Sequence, residues 1–128
     1  MTSAETTRAT DKARMAVEAA LDVKAEDIVA LDVKELSSFA DVFVVCTGRS
    51  DRQVRAIADS VEKAAKQAGA PPLGIEGYAE GRWVLIDLDD VIVHVFTPDN
   101  RERYDIERLW SDAPQLSLAA PAAEQAAP

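Results

Sequence analysis

The stretch Arg82-Trp-Val-Leu-Ile-Asp-Leu-Asp-Asp-Val-Ile-Val-His-Val-Phe96 decides the fold. Two β-rich runs flank Asp89-Asp90, a two-residue loop of the kind that closes a hairpin. With that loop Leu88 faces Val91, and every earlier residue faces its later match. One hairpin face then carries Val84, Ile86, Leu88, Val91, Val93 and Val95. It is wholly apolar and belongs in a core, under the helix that follows residue 50. The other face carries Trp83, Leu85, Asp87, Ile92, His94 and Phe96, which is neither clean core nor clean solvent surface. Two uses for it are open. The terminal helix and other strands cover it, leaving His94 a satisfied buried histidine, or part of it is a docking patch of aromatics rimmed by charge.

Outward from the hairpin, the rest of the chain falls into alternating elements. Thr10 or Asp11 caps a helix to about Asp22, with Met15, Ala16, Ala19, Ala20 and Leu21 as its apolar and small positions. Residues 23–27 read as a connection, Ile28–Val33 as a strand and residues 34–40 as a polar turn. Val42–Thr47 is a nearly continuous apolar run, as expected of a strand covered on both faces. Gly48 ends it. Ser50, with Gln53 three residues on, is a capping-box pattern. It opens a helix with Val54, Ile57, Ala58, Val61, Ala65 and Ala68 on one stripe, stopped by Gly69 and Pro71-Pro72. Leu73–Gly77 reads as a short strand. Asp99 or Asn100 starts a helical turn, and Tyr104–Trp110 reads as a last short helix. The expected fold is α/β, a mixed β-sheet flanked by helices packed mainly on one face. Residues 1–9 are expected to be a flexible N-terminus, 10–113 one domain, and 114–128 a disordered Ala/Pro-rich tail.

Composition narrows the function classes. The 128 residues suit one domain. Fourteen basic residues against 23 acidic ones give a net charge of −9. That balance argues against broad or sequence-specific nucleic-acid binding and against an anionic membrane surface. It favours a basic partner, whose field speeds encounter. Cys46 is the one cysteine, so no internal disulfide forms. No apolar run reaches the roughly 20 residues of a membrane span. The polar N-terminus does not resemble a secretory signal, so a cytoplasmic location is expected.

Catalysis finds little support. Gly48-Arg49-Ser50 at a strand-to-helix turn is a possible phosphate loop. A nucleotidyltransferase built on Ser50 would need paired metal-binding carboxylates. The only candidates are Asp87 and Asp89, with Asp90 beside them, and Asp is common in turns for local reasons. Cys46 sits in an apolar run and reads as an inert core residue. His94, the only histidine, has no nucleophile elbow or metal-ligand spacing around it. No catalytic residue, metal or cofactor is therefore expected. An enzyme of that kind and a plain homodimerising module are the rival readings.

Leu36-Ser-Ser-Phe-Ala-Asp-Val-Phe-Val-Val-Cys-Thr-Gly-Arg-Ser-Asp-Arg-Gln-Val-Arg-Ala-Ile-Ala-Asp59 resembles the first signature of the ribosomal silencing factor (Iojap-related) family. Glu76-Gly77, Trp83–Phe96 and Arg101–Trp110 resemble the later signatures, so the likeness spans about residues 10–113 in order. The resemblance implies a nucleotidyltransferase-like α/β fold without catalytic residues, no enzymatic activity and no cofactor. It implies binding to the large ribosomal subunit through large-subunit protein fourteen. Such binding blocks joining of the small subunit and lowers translation when nutrients are scarce. It also implies a homodimer when the protein is free. Trp83, Asp87, Asp90, His94, Phe96, Tyr104 and Trp110 match motif positions and form the expected partner-binding set. Trp83 would be an aromatic anchor, with Asp87 and Asp90 meeting Arg or Lys of the partner. Arg101 and Glu107 also match, as an ion pair across the last helices. Asp89 departs from the family, which usually has Gly there.

Overall fold

A computed structural model describes residues 3–118. In chain order the elements are α1 (Ser3–Asp22), β1 (Glu26–Asp32), β2 (Val42–Thr47), α2 (Asp51–Gln67), β3 (Gly74–Glu76), β4 (Trp83–Asp87), β5 (Val91–Phe96), α3 (Pro98–Tyr104), α4 (Ile106–Leu109) and β6 (Gln115–Leu116). The strands form one mixed sheet in the order β3-β4-β5-β2-β1-β6. Only β2 and β5 pair in parallel, and all other neighbours are antiparallel.

The hairpin has the expected register. Leu88 N–H donates to the Val91 carbonyl at 2.9 Å, and the pairing runs from Asp87↔Ile92 to Trp83↔Phe96. Its apolar face is fully buried and packs with Val54, Ile57, Ala58, Val61 and Ala65 of α2. Burying a Val or Ile side chain contributes about 1.5–3 kcal/mol, so this stripe is the main anchor of α2. The helix starts as its sequence directs. Ser50 Oγ accepts from Gln53 N–H at 3.1 Å, while Gln53 Oε1 accepts from Arg49 N–H at 2.7 Å. The Gln53 amide also donates to the carbonyls of Val23 and Lys24, tying the start of α2 to the α1–β1 connection. β2 is buried along its whole length, with Val42, Val44 and Cys46 toward the two long helices and Phe43 and Val45 toward the other face.

Three segments differ from expectation. Helix α1 begins at Ser3, and Ala9, Ala13, Ala16, Val17 and Ala20 form its buried stripe, while Leu21 is exposed. Alanines let the helix lie close to the sheet, but they give a weak periodic signal because they are equally at home on a surface. At the other end, residues 114–118 are part of the sheet. Asp32 N–H donates to the Pro114 carbonyl, β6 pairs with β1, and Leu118 is buried in the helix-side core. The edge of β1 offers unpaired backbone groups, and this segment satisfies them. The expected tail from 119 to 128 lies outside the described residues. Finally, the boundary between the expected helical turn and the last helix shifts: α3 takes in Tyr104, and α4 runs from Ile106 to Leu109. Asp105 has φ 47°, in the left-handed region, and redirects the chain between α3 and α4.

The hairpin turn carries a local cost. Asp89 has φ 79°, a conformation open to glycine and strained for a residue with a Cβ. Asp89→Gly should raise unfolding stability by roughly 0.5–1 kcal/mol in urea titration, with no change in denaturant slope.

Candidate functional site

Helices α1 and α2 cover one sheet face completely. The other face is only partly covered, by α3, α4 and Trp110, and an apolar groove of about 410 Å³ remains. Its floor comes from alternate residues of three adjacent strands: Phe43 of β2, Ile92 and His94 of β5, and Trp83, Leu85 and Asp87 of β4. Ile106, Leu109 and Trp110 add the α4 side, and Phe39 reaches in from the loop between β1 and β2. Phe39 and Leu109 are 66 % and 77 % exposed, and with the rest of the lining they form one apolar patch.

A chain of rings stiffens the groove. Trp83 stacks on Phe96 at 4.9 Å between centroids and lies 4.7 Å from Tyr104. Phe43 meets His94 at 5.0 Å and Trp110 at 5.1 Å, both edge to face. Such pairs contribute about 0.5–1.5 kcal/mol each beyond area burial. The Trp83 indole N–H donates to His94 Nδ1 at 3.2 Å. Nδ1 is therefore the acceptor, and the proton of the neutral ring sits on Nε2. Burial pushes the His94 pKa down to about 4, so the ring is neutral at pH 7. Nε2 is buried and has no hydrogen-bond partner among the described residues, so His94 is only half satisfied.

The expected binding residues separate into three groups. Trp83, Asp87 and Trp110 line the groove and keep part of their surface, and Tyr104 is exposed beside Trp83. His94, 5 % exposed, and Phe96, 0 % exposed, lie beneath. Phe96 therefore supports Trp83 from below and offers nothing of its own to a partner, a correction to its expected role. Asp90 lies in the hairpin turn, outside the groove. Its carboxylate takes a 2.7 Å ion pair from Lys12 of α1, and Lys12 also donates to the Leu88 carbonyl. Asp90 thus fastens the hairpin turn to a helix on the opposite face and is not among the groove residues. Asp87 remains the groove's acidic group, with Oδ1 accepting from Asp89 N–H at 2.9 Å.

Sequence reasoning passed over Phe39 and Leu109. Phe39 stands in a polar loop four residues before Phe43, and that isolated aromatic was the available signal. Leu109 lies on a helix of four residues, too short to show a periodicity. The Arg101–Glu107 ion pair forms as expected, at 2.8 Å.

The catalytic candidates have structural explanations. A Cβ on Gly48 would lie 2.8 Å from the Val54 backbone nitrogen, so glycine is needed there for close packing against the start of α2. Ser50 is the cap of that helix. Burial pushes the Cys46 thiol up to about 12, leaving essentially no thiolate near neutral pH. Among the described residues no group of three or more His, Cys, Asp or Glu is placed to hold a metal ion. Nor is any helix among them long and apolar enough to cross a membrane.

Comparison with known proteins places these features in context. The family model described as "Ribosomal silencing factor during starvation" matches residues 6–128. The ribosomal silencing factor RsfS of Halalkalibacterium halodurans is 50 % identical over 105 residues, covering 82 % of this chain and 90 % of that protein. The Bacillus subtilis protein of the same name is 48 % identical over 105 residues, covering 82 % and 89 %. A crystal structure of a Chromobacterium violaceum protein superposes with a TM-score of 0.79 at 45 % identity, covering 80 % of this chain and 86 % of that one.

His94 ties the floor of the groove to pH. Its folded pKa, about 4, lies below the ordinary value near 6.5. As pH falls through 6.5 the unfolded chain takes up a proton that the folded chain refuses. Stability from this group is therefore complete above pH 6.5, falls between 6.5 and about 4, and is level below that. The full loss is about 3 kcal/mol. His94→Gln keeps an acceptor for Trp83 but does not titrate. Urea unfolding of the two proteins across pH 7 to 4 should show a steeper decline in the wild type.

Proposed function

The chain belongs to the ribosomal silencing factor family, and from that premise we propose that its groove seats large-subunit protein fourteen on the free large ribosomal subunit. Members of this family are regulatory proteins and not enzymes, with a silencing role at the ribosome. The observation that carries the docking reading is the open apolar groove, in which two large side chains, Phe39 and Leu109, stay exposed beside half-buried Trp83 and Trp110. A groove of this volume takes one or two apolar side chains of a partner. The rigid ring stack beneath limits the entropy lost on docking. Asp87 supplies a charge-assisted contact to a partner cation, and the net charge of −9 steers the protein toward a basic surface.

The mechanism is steric. A domain about 25–30 Å across, seated where the two subunits meet, occupies space the small subunit needs. Translation falls without any chemical step, as suits a factor acting in the cytoplasm when nutrients are limited. Off the ribosome the protein is a homodimer under this reading. Tyr104, Trp83, Trp110 and Asp87 touch the partner, whereas His94 and Phe96 hold Trp83 in place.

Co-sedimentation with purified large subunits at physiological salt tests the proposal. Phe39→Asp and Leu109→Asp change exposed side chains and should leave folding intact. Each should weaken binding by about 30-fold, the effect of losing an interface hot spot. Asp87→Lys should reduce binding by about tenfold. Wild-type protein that stays in the supernatant, or variants that pellet as well as wild type, would defeat the docking model.

A further inference from the structure

Helix α3 has no buried residue, and the four-residue α4 that follows it carries one side of the groove. A helix of seven residues followed by one of four cannot hold its place through its own backbone bonds. Neither helix has a side-chain cap at its start, and the joint between them is Asp105 in a left-handed conformation. Ile106, Tyr104 and Trp110 supply apolar and aromatic contacts to the sheet. The polar fastening comes from one side chain.

That side chain is Arg101, only 14 % exposed. Its Nη1 donates to the Asp27 carbonyl at 2.6 Å and to Thr47 Oγ1 at 2.8 Å. Its Nε donates to Glu107 Oε1 at 2.8 Å. The guanidinium thus joins α3 to three other places at once: the irregular start of β1, the end of β2, and α4. The Asp27 site is itself unusual. It has φ 50°, and the β1–β2 register shifts between Glu26 and Val29. The shift accompanies a carbonyl that bonds to Arg101. A guanidinium presents several donors in a fixed planar fork, whereas a lysine presents one flexible ammonium and would reach fewer of these acceptors.

We infer that Arg101 is a positioning residue for docking: it locks the α3–α4 segment to the sheet so that Leu109 and Trp110 stand at the spacing the groove requires, without touching the partner itself. The inference rests on the docking reading above and adds to it a separate part of the chain on which the groove's shape depends.

The test uses the full chain, purified large subunits, three single variants and one double variant. Arg101→Met makes the protein more acidic by one charge, which on electrostatics alone favours a basic partner. A loss of affinity therefore cannot be assigned to charge. Arg101→Met should weaken binding at least tenfold, and Arg101→Lys should recover only part of it. In a double-mutant cycle, the loss caused by Leu109→Ala should shrink severalfold in the Arg101→Met background, because Leu109 is already displaced. A second readout needs no partner. The chain has two tryptophans. In protein labelled with nitrogen and carbon isotopes the Trp110 indole signal and the Leu109 methyl signals should shift or broaden on Arg101→Met, while core methyls such as Val44 and Val93 keep their positions. Binding within twofold of wild type, strict additivity with Leu109→Ala, or unmoved Trp110 and Leu109 signals would each overturn the inference. If wild-type protein itself fails to bind large subunits, the docking reading falls, and the spectroscopic arm alone decides whether Arg101 sets the segment's position.

Discussion

Strands β2 and β5 run side by side in parallel from Val42↔Val91 to Thr47↔Phe96. That ladder divides the apolar residues of the two strands between two separate cores. Val42, Val44, Cys46, Val91, Val93 and Val95 go to the helix side, and Phe43, Val45, Ile92 and Phe96 go to the other. A slip of one residue in either strand would exchange the two sets. Phe43 and His94 would then turn into the helix layer, and the groove would lose its floor. The helix side is filled by two long helices. Among the described residues the opposite side is covered by two short helices, Trp110 and loop residues such as Ala40 and Ala113, and the uncovered remainder is the groove.

The legibility of this arrangement in the residues varied with the kind of signal each segment carries. The hairpin was readable because a two-residue loop between alternating runs leaves one pairing. Helix α2 was readable because Ser50, Gln53 and Gly69 mark its ends and a strong apolar stripe marks its face. The start of α1 was hidden because its buried stripe is mostly alanine. Strand β6 was hidden because two residues pairing with a sheet edge have no pattern of their own, and their place depends on where β1 ends up. The boundary between α3 and α4 was hidden because it rests on one left-handed backbone angle at Asp105, which aspartate adopts only occasionally.

The site was legible in part for the same reasons. Alternation in β4 and β5 placed Trp83, Leu85, Asp87, Ile92, His94 and Phe96 on one face, and the coordinates agree. Alternation does not say how deep each one lies. Depth is set by what covers the strand. Phe96 and His94 sink beneath Trp83 and Tyr104, while the nearer end of the face stays open around Asp87. Asp90 is a turn residue and belongs to neither face of the sheet. Its direction was decided by Lys12, some 78 residues earlier in the chain. Phe39 and Leu109 come from outside the strands, so only the assembled fold brings them to the groove.

The sealed thiol of Cys46 has a consequence for cellular chemistry. It sits near the end of β2, one of the two inner strands, fully covered and held protonated. Peroxides and disulfide exchange act on thiolate, and this side chain offers neither the charge nor a path. The chain has no second cysteine. Oxidative stress therefore has no sulfhydryl handle by which to cross-link two copies or to deform the sheet beneath Phe43 and His94.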